Sequence, residues 1–193
     1  DSVASRGLGD VYKRQRLRRP LVVAFVSMLC VAMAQITVGF FALDRLGMSP
    51  ADAAQTAGIS LTLVGVALIA SQLVVRKLEW PPLRMIRIGA LVAALGFVTS
   101  ILAAHAWVLW LGFFVSAAGM GWIFPSFAAL ASNSVDAAEQ GATAGSIGAA
   151  QGLGVVVGPL AGTLIYGLEP RLPYLLAALL LVLVACWPVA RRR

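Results

Sequence analysis

The sequence predicts an all-α membrane protein with six transmembrane helices. Of its 193 residues, 60% are apolar and only 12% charged, a balance far from that of water-soluble domains. The apolar residues run in uncharged stretches of about 20 or more, the length that crosses a bilayer core of about 30 Å. The charged residues sit between these stretches and are heavily basic in alternate loops. A net charge of +7 therefore reflects topology, because no basic face with interleaved aromatics exists to hold nucleic acid.

The elements follow in chain order. Residues 1–15, DSVASRGLGDVYKRQ, are polar, mixed in charge and aperiodic, and read as a disordered tail. Within them Ser5 to Gln15 resembles one reading frame through a transposon-type sequencing-library adapter, which implies a non-native segment with the native chain starting near Arg16. Without residues 1–15 the chain keeps 12 basic residues against 6 acidic ones, and neither an initiator methionine nor a signal peptide precedes its first apolar run. The expectation is a fragment.

The first two spans are expected at 20–43 and 53–75. From Ile88 to Val135 come 48 residues without Lys, Arg, Asp or Glu, roughly 70 Å of helix, more than twice the bilayer core. That stretch must fold as two spans, expected at 85–103 and 106–131, with the turn at His105, its most polar point. The fifth and sixth spans are expected at 141–168 and 172–190.

Lys and Arg collect in short cytoplasmic loops, so charge sets the orientation. One side holds Arg16, Arg18, Arg19, Arg76, Lys77, Arg84, Arg87 and the arginines at 191–193; the other holds only Arg45 and Arg171. This places both termini and the basic loop of Arg76, Lys77, Arg84 and Arg87 in the cytoplasm. Trp107, Trp110, Tyr166 and Tyr174 fall near the outer boundary, Trp80 and Trp187 near the inner one, and Trp122 in neither belt.

Chemistry-bearing constellations are missing. No span carries a central charge that would mark a proton path, and lone His105 has no second ligand at metal spacing. Cys30 and Cys186 lie inside apolar runs as small hydrophobes. The sequence predicts no enzyme, no metal and no cofactor. What remains is polar or small. Gln35, Ser60, Ser71, Gln72 and Gln151 sit inside spans, and the eleven residues separating Ser60 from Ser71 put both on one helix face. Gln35 and Gln151 fit a substrate cavity and an interhelical hydrogen bond equally well. Phe124 is a further cavity candidate, although Phe40, Phe41 and Phe124 all suit plain packing.

The fifth span reads GSIGAAQGLGVVVGPLAG. Gly154, Gly158 and Gly162 recur every four residues as a stripe that lets helix backbones approach, Gly148 and Gly152 form another pair, and Pro159 removes a backbone bond. The register of Gly145, Gly154, Gly158, Pro159 and Gly162 resembles the glycine-proline antiporter motif of the major facilitator superfamily, with Thr163 in place of its last glycine. LDRLGMSPADA resembles an outer loop of the second half of that superfamily, and VDAAEQGATAG the loop before helix eleven of bacterial drug-efflux members. In the basic loop Val75 stands where the first-half version has aspartate. In the fourth span Leu111, Gly119 and Gly121 fit the family pattern while Val115 and Ala118 replace its arginine and glutamine.

The resemblance covers 16–193 and implies helices seven to twelve of a twelve-helix transporter, built as two inverted three-helix repeats, whose N-terminal half is absent from this chain. It implies proton-coupled efflux of amphipathic small molecules across a bacterial inner membrane, with helices seven, eight, ten and eleven lining the cavity. A nutrient importer or uniporter of the same superfamily is the alternative within the class, and a non-transporting membrane interaction module the alternative outside it.

Overall fold

A computed structural model describes the backbone of residues 2–188 and the side chains of residues 16–188. The described chain forms α1 (Ser2–Asp44), α2 (Pro50–Leu78), α3 (Pro82–Ile101), α4 (Ala106–Ser132), a 3-10 turn (Ala137–Glu139), α5 (Gln140–Tyr166) and α6 (Leu172–Cys186). Five of these segments are long and apolar enough to cross a membrane: Arg16–Asp44 of α1, then α2, α3, α4, and Ala137–Tyr166 containing α5. The sixth, α6, is apolar but shorter.

Local chemistry sets the boundaries. The Ser49 hydroxyl accepts from the Asp52 amide at 3.2 Å and donates to the Asp52 carboxylate at 2.7 Å, so α2 starts at Pro50, ahead of the expected residue 53. It runs on to Leu78 and stops where Glu79 turns left-handed at φ 42°. Proline is tolerated in a first helical turn, which lets α3 begin at Pro82 instead of 85. His105 precedes α4 in the expected turn and is exposed. At the other extreme, α6 ends at Cys186, short of the expected 190. Trp187 is pushed to ψ 122° because Pro188 follows it, and a residue before proline avoids helical backbone. Residues 189 and 190, like the arginines at 191–193, lie outside the described residues.

One pair of helix contacts repeats between the first three helices and the last three, as two three-helix repeats would give. α1 lies along α5 and α4 lies along α2, so exchanging the first three helices with the last three turns one pair into the other. α1 also crosses α4, while α3 packs against α4 and α6. The core gathers around Tyr174, 0% exposed, whose ring centroid lies 5.2 Å from that of Phe41, 6.2 Å from Phe113 and 6.4 Å from Phe97. Tyr174, placed near the outer boundary from sequence, is covered by protein there: α6 turns this side of its first turn onto α1, α3 and α4. Trp122 also gains a partner, meeting Trp80 edge-on at 6.3 Å.

The uncovered faces are of two kinds. α3 exposes Leu91, Leu95, Val98 and Leu102, and α6 exposes Leu175, Leu179, Val182 and Leu183, bulky apolar stripes suited to acyl chains. α2 and α5 expose leucines and valines too, but interleave them with glycine. A side chain added at Gly58 or Gly65 of α2, or at Gly141, Gly145, Gly148 or Gly152 of α5, would begin in open space.

Candidate functional site

A cavity of about 70 Å³ lies between α1, α2, α3 and α4, near the middle of α1, α2 and α4 and toward the C-terminal end of α3. Gln35 and Ala34 of α1, Val64 and Leu68 of α2, Phe97 of α3, and Phe113, Ser116, Met120 and Phe124 of α4 form its wall. The chemistry is sparse. The Ser116 hydroxyl donates to the Phe113 carbonyl at 2.9 Å, as helical serines do when no outside partner exists. That leaves Gln35, which is exposed and makes no hydrogen bond among the described residues, as the one amide able to orient a guest. Aromatic and aliphatic surface makes up the remainder.

Two of the five sequence candidates, Gln35 and Phe124, therefore meet in one pocket. Ser60 and Ser71 do not join them. Both are buried, Ser60 donates to the Thr56 carbonyl and Ser71 to that of Leu68, each at 2.8 Å, and Ser71 rests directly against Gly121 of α4. Both lie inside the bundle, Ser71 under α4: a small hydroxyl that satisfies itself on its own helix permits close packing. Gln72 reaches the Gly121 carbonyl at 3.5 Å, the long limit of a hydrogen bond. Gln151 is half-buried on α5, outside this pocket.

The glycine motif divides in the same way. A side chain begun at Gly154 would lie 2.6 Å from the Phe25 carbonyl oxygen, at Gly158 2.8 Å from the Ala32 methyl, and at Gly162 2.8 Å from the Met33 side chain. These three glycines seat α5 on α1. A side chain begun at Gly145 would meet open space within this chain. Helix α5 continues through Pro159, and Thr163, in the place of a glycine, donates to the Pro159 carbonyl at 2.8 Å.

In the basic loop, Arg76 and Lys77 close the last turn of α2, exposed, where cations suit the helix dipole. Arg84 stacks on the Trp80 ring with 4.3 Å to its centroid, and Arg87 donates to the Trp187 carbonyl at 3.1 Å. At the opposite end the Tyr166 hydroxyl donates to the Asp44 carboxylate at 2.8 Å and ties α5 to α1. Sequence reasoning missed this tie. It also missed Gly89, Gly96 and Gly112, which with Gly119 bring α3 and α4 into backbone contact. Their signal was legible: each helix carries two glycines seven residues apart. Among the described residues no group of three His, Cys, Asp or Glu could hold a metal.

A bundle of membrane-spanning helices in two three-helix repeats, with an uncharged pocket at mid-depth, is the architecture of a secondary transporter unit. The sequence profile described as Major Facilitator Superfamily matches residues 21–193, and the chain belongs to that superfamily. It is a multi-pass membrane protein of that superfamily. Among solved structures, a mutant of the peptide transporter POT in complex with alafosfalin superposes with a TM-score of 0.71 at 14% identity, covering 88% of this chain and 36% of that one. A POT family transporter in complex with a thioalcohol-conjugated peptide gives 0.73 at 16% identity, covering 89% and 37%. At such identities the likeness shows the fold. The chain spans little more than a third of the length of either transporter. No curated protein sequence matches it.

Proposed function

We propose that this chain is the C-terminal six-helix half of a twelve-helix exporter that expels amphipathic, uncharged-to-weakly-charged small molecules in exchange for protons. The observation that carries the reading is the mid-depth pocket in which Gln35 stands alone among Phe97, Phe113, Met120 and Phe124. A wall of that kind favours apolar bodies with a single hydrogen-bonding group. Support also comes from the glycine-bearing faces of α2 and α5, suited to close approach of further helices from an N-terminal half. The substrate would cross as the two halves rock about the central cavity. With no acid or base at the centre of a described span, the titrating group belongs to that other half. The ten-against-two distribution of basic residues supports an inner-membrane orientation with both termini cytoplasmic.

The test is dye accumulation in cells expressing the completed gene, with Gln35→Leu and Phe124→Ala beside the unaltered protein. Expression should lower accumulation, and each substitution should restore it several-fold at unchanged membrane abundance. Accumulation that rises on expression would establish uptake and overturn export. A second reading, uptake of peptide-like solutes, draws on the peptide transporters with the same fold. The pocket's lack of charge favours export of amphipaths, because a zwitterion needs charged partners at both ends.

A further inference from the structure

Two arginines converge on one end of α6. Arg19, at the start of the apolar run of α1, and Arg87, in the second turn of α3, each donate from Nη2 to the carbonyl oxygen of Trp187, at 3.2 and 3.1 Å. Capping a helix C-terminus with a cation is favourable, yet one carbonyl uses only one donor from each fork. Both Nε–H groups are shut off from solvent and have no acceptor. Among the described residues neither guanidinium is paired with a carboxylate, and the first turn of α3 contains no acid. Two like charges meet at one carbonyl oxygen, both guanidinium groups are half-buried, and neither fork is fully used, an arrangement that suits an anion.

The surroundings identify the anion. Arg87, Leu91, Leu95, Val98 and Leu102 succeed one another at three- and four-residue steps, so the arginine heads the exposed apolar stripe of α3. Leu175, Leu179, Val182 and Leu183 form the matching stripe of α6, which ends at Trp187 beside the two arginines. We propose that Arg19 and Arg87 bind the phosphate of an anionic phospholipid, with the acyl chains lying along the exposed stripes of α3 and α6. The site stands apart from the pocket at Gln35 and is independent of the transport reading.

The test uses the purified chain in nanodiscs of phosphatidylcholine containing a minor fraction of phosphatidylglycerol, with protein-bound lipid quantified by native mass spectrometry. Phosphatidylglycerol should be enriched around the chain relative to the disc. The double variant Arg19→Gln/Arg87→Gln should lose that enrichment at least thirtyfold, since about 1 kcal/mol per basic side chain at the surface sets the lower bound. Arg76→Gln/Lys77→Gln, which removes two charges from the same end, should keep it. Equal loss in both double variants would reduce the effect to general surface charge and overturn the site. Unchanged enrichment in Arg19→Gln/Arg87→Gln would do the same. Should that variant fail to fold, Arg19→Lys/Arg87→Lys keeps both charges but not the forked donors, and full retention there would refute the geometry. Inorganic phosphate at millimolar concentration should not displace the lipid; displacement would assign the pair to a soluble phosphate ligand and overturn the lipid.

Discussion

Gln35 and Tyr166 show what one side chain contributes at each depth of this bundle. Gln35 is a lone amide among apolar neighbours, and its value lies in orienting a guest more than in stabilising the fold. Tyr166 is different: its hydroxyl joins the ends of α5 and α1 through Asp44, while its ring lies 6.1 Å from that of Phe40. Replacing Tyr166→Phe keeps the ring contact and removes the hydrogen bond. It should lower unfolding stability by about 1 kcal/mol or less, since the pair is exposed, read as a small fall in melting midpoint in detergent. An unchanged midpoint would show that water replaces the bond without cost. Asp44→Asn, which can still accept, should fall between the two. Gln35 and Phe124 were legible in the sequence because a polar or aromatic group inside an apolar span stands out wherever the helix turns. The roles of Ser60 and Ser71 were not, for spacing assigns residues to a common face but cannot say which helix covers it.

The divided glycine pattern of α5 is a property of the element. Gly154 and Gly158 press on backbone and Cβ atoms of α1, which cannot yield as a flexible side-chain end can, and Gly162 lies first against the Met33 side chain, whereas a side chain begun at Gly145, Gly148 or Gly152 would meet open space. Gly158→Leu should therefore cost about 1–3 kcal/mol or more by overpacking and abolish transport, although the chain still inserts, because insertion depends on span hydropathy and not on helix contact. Unchanged efflux would remove that helix contact from the mechanism. Gly145→Leu should leave the melting midpoint of this chain as it is. The six apolar helices and their order could be read from uncharged run lengths, and the turn at His105 from its polarity. The helix ends moved by a few residues where prolines and the Ser49 cap act, since hydropathy is blind to capping. The burial of Tyr174 was not legible for a related reason: a belt assignment counts depth along one helix, but burial depends on the neighbours that α1, α3 and α4 bring.

On the scale of the whole molecule, the arrangement is lopsided. α3 and α6 turn smooth leucine stripes outward, while α2 and α5, which mirror each other across the repeat, turn outward faces notched by glycine. Lipid gains nothing from a notch, since acyl chains fill any surface; a helix does, because glycine admits its backbone closely. If a second six-helix half covers α2 and α5, Gly58→Leu, Gly65→Leu and Gly148→Leu should leave this chain's own stability unaltered yet impair transport by the completed protein. A pair of cysteines, one at Gly148 and one on a helix of that half, should then form a disulfide. The DNA upstream of the codon for Arg16 decides whether such a half exists: about six further spans are expected in frame. A start codon directly before Arg16, with no membrane segments upstream, would mean that the notched faces of α2 and α5 pair with another polypeptide, or with a second copy of this one. Wild-type chain alone would then run as a dimer in native gels, and Gly148→Leu would convert it to monomer.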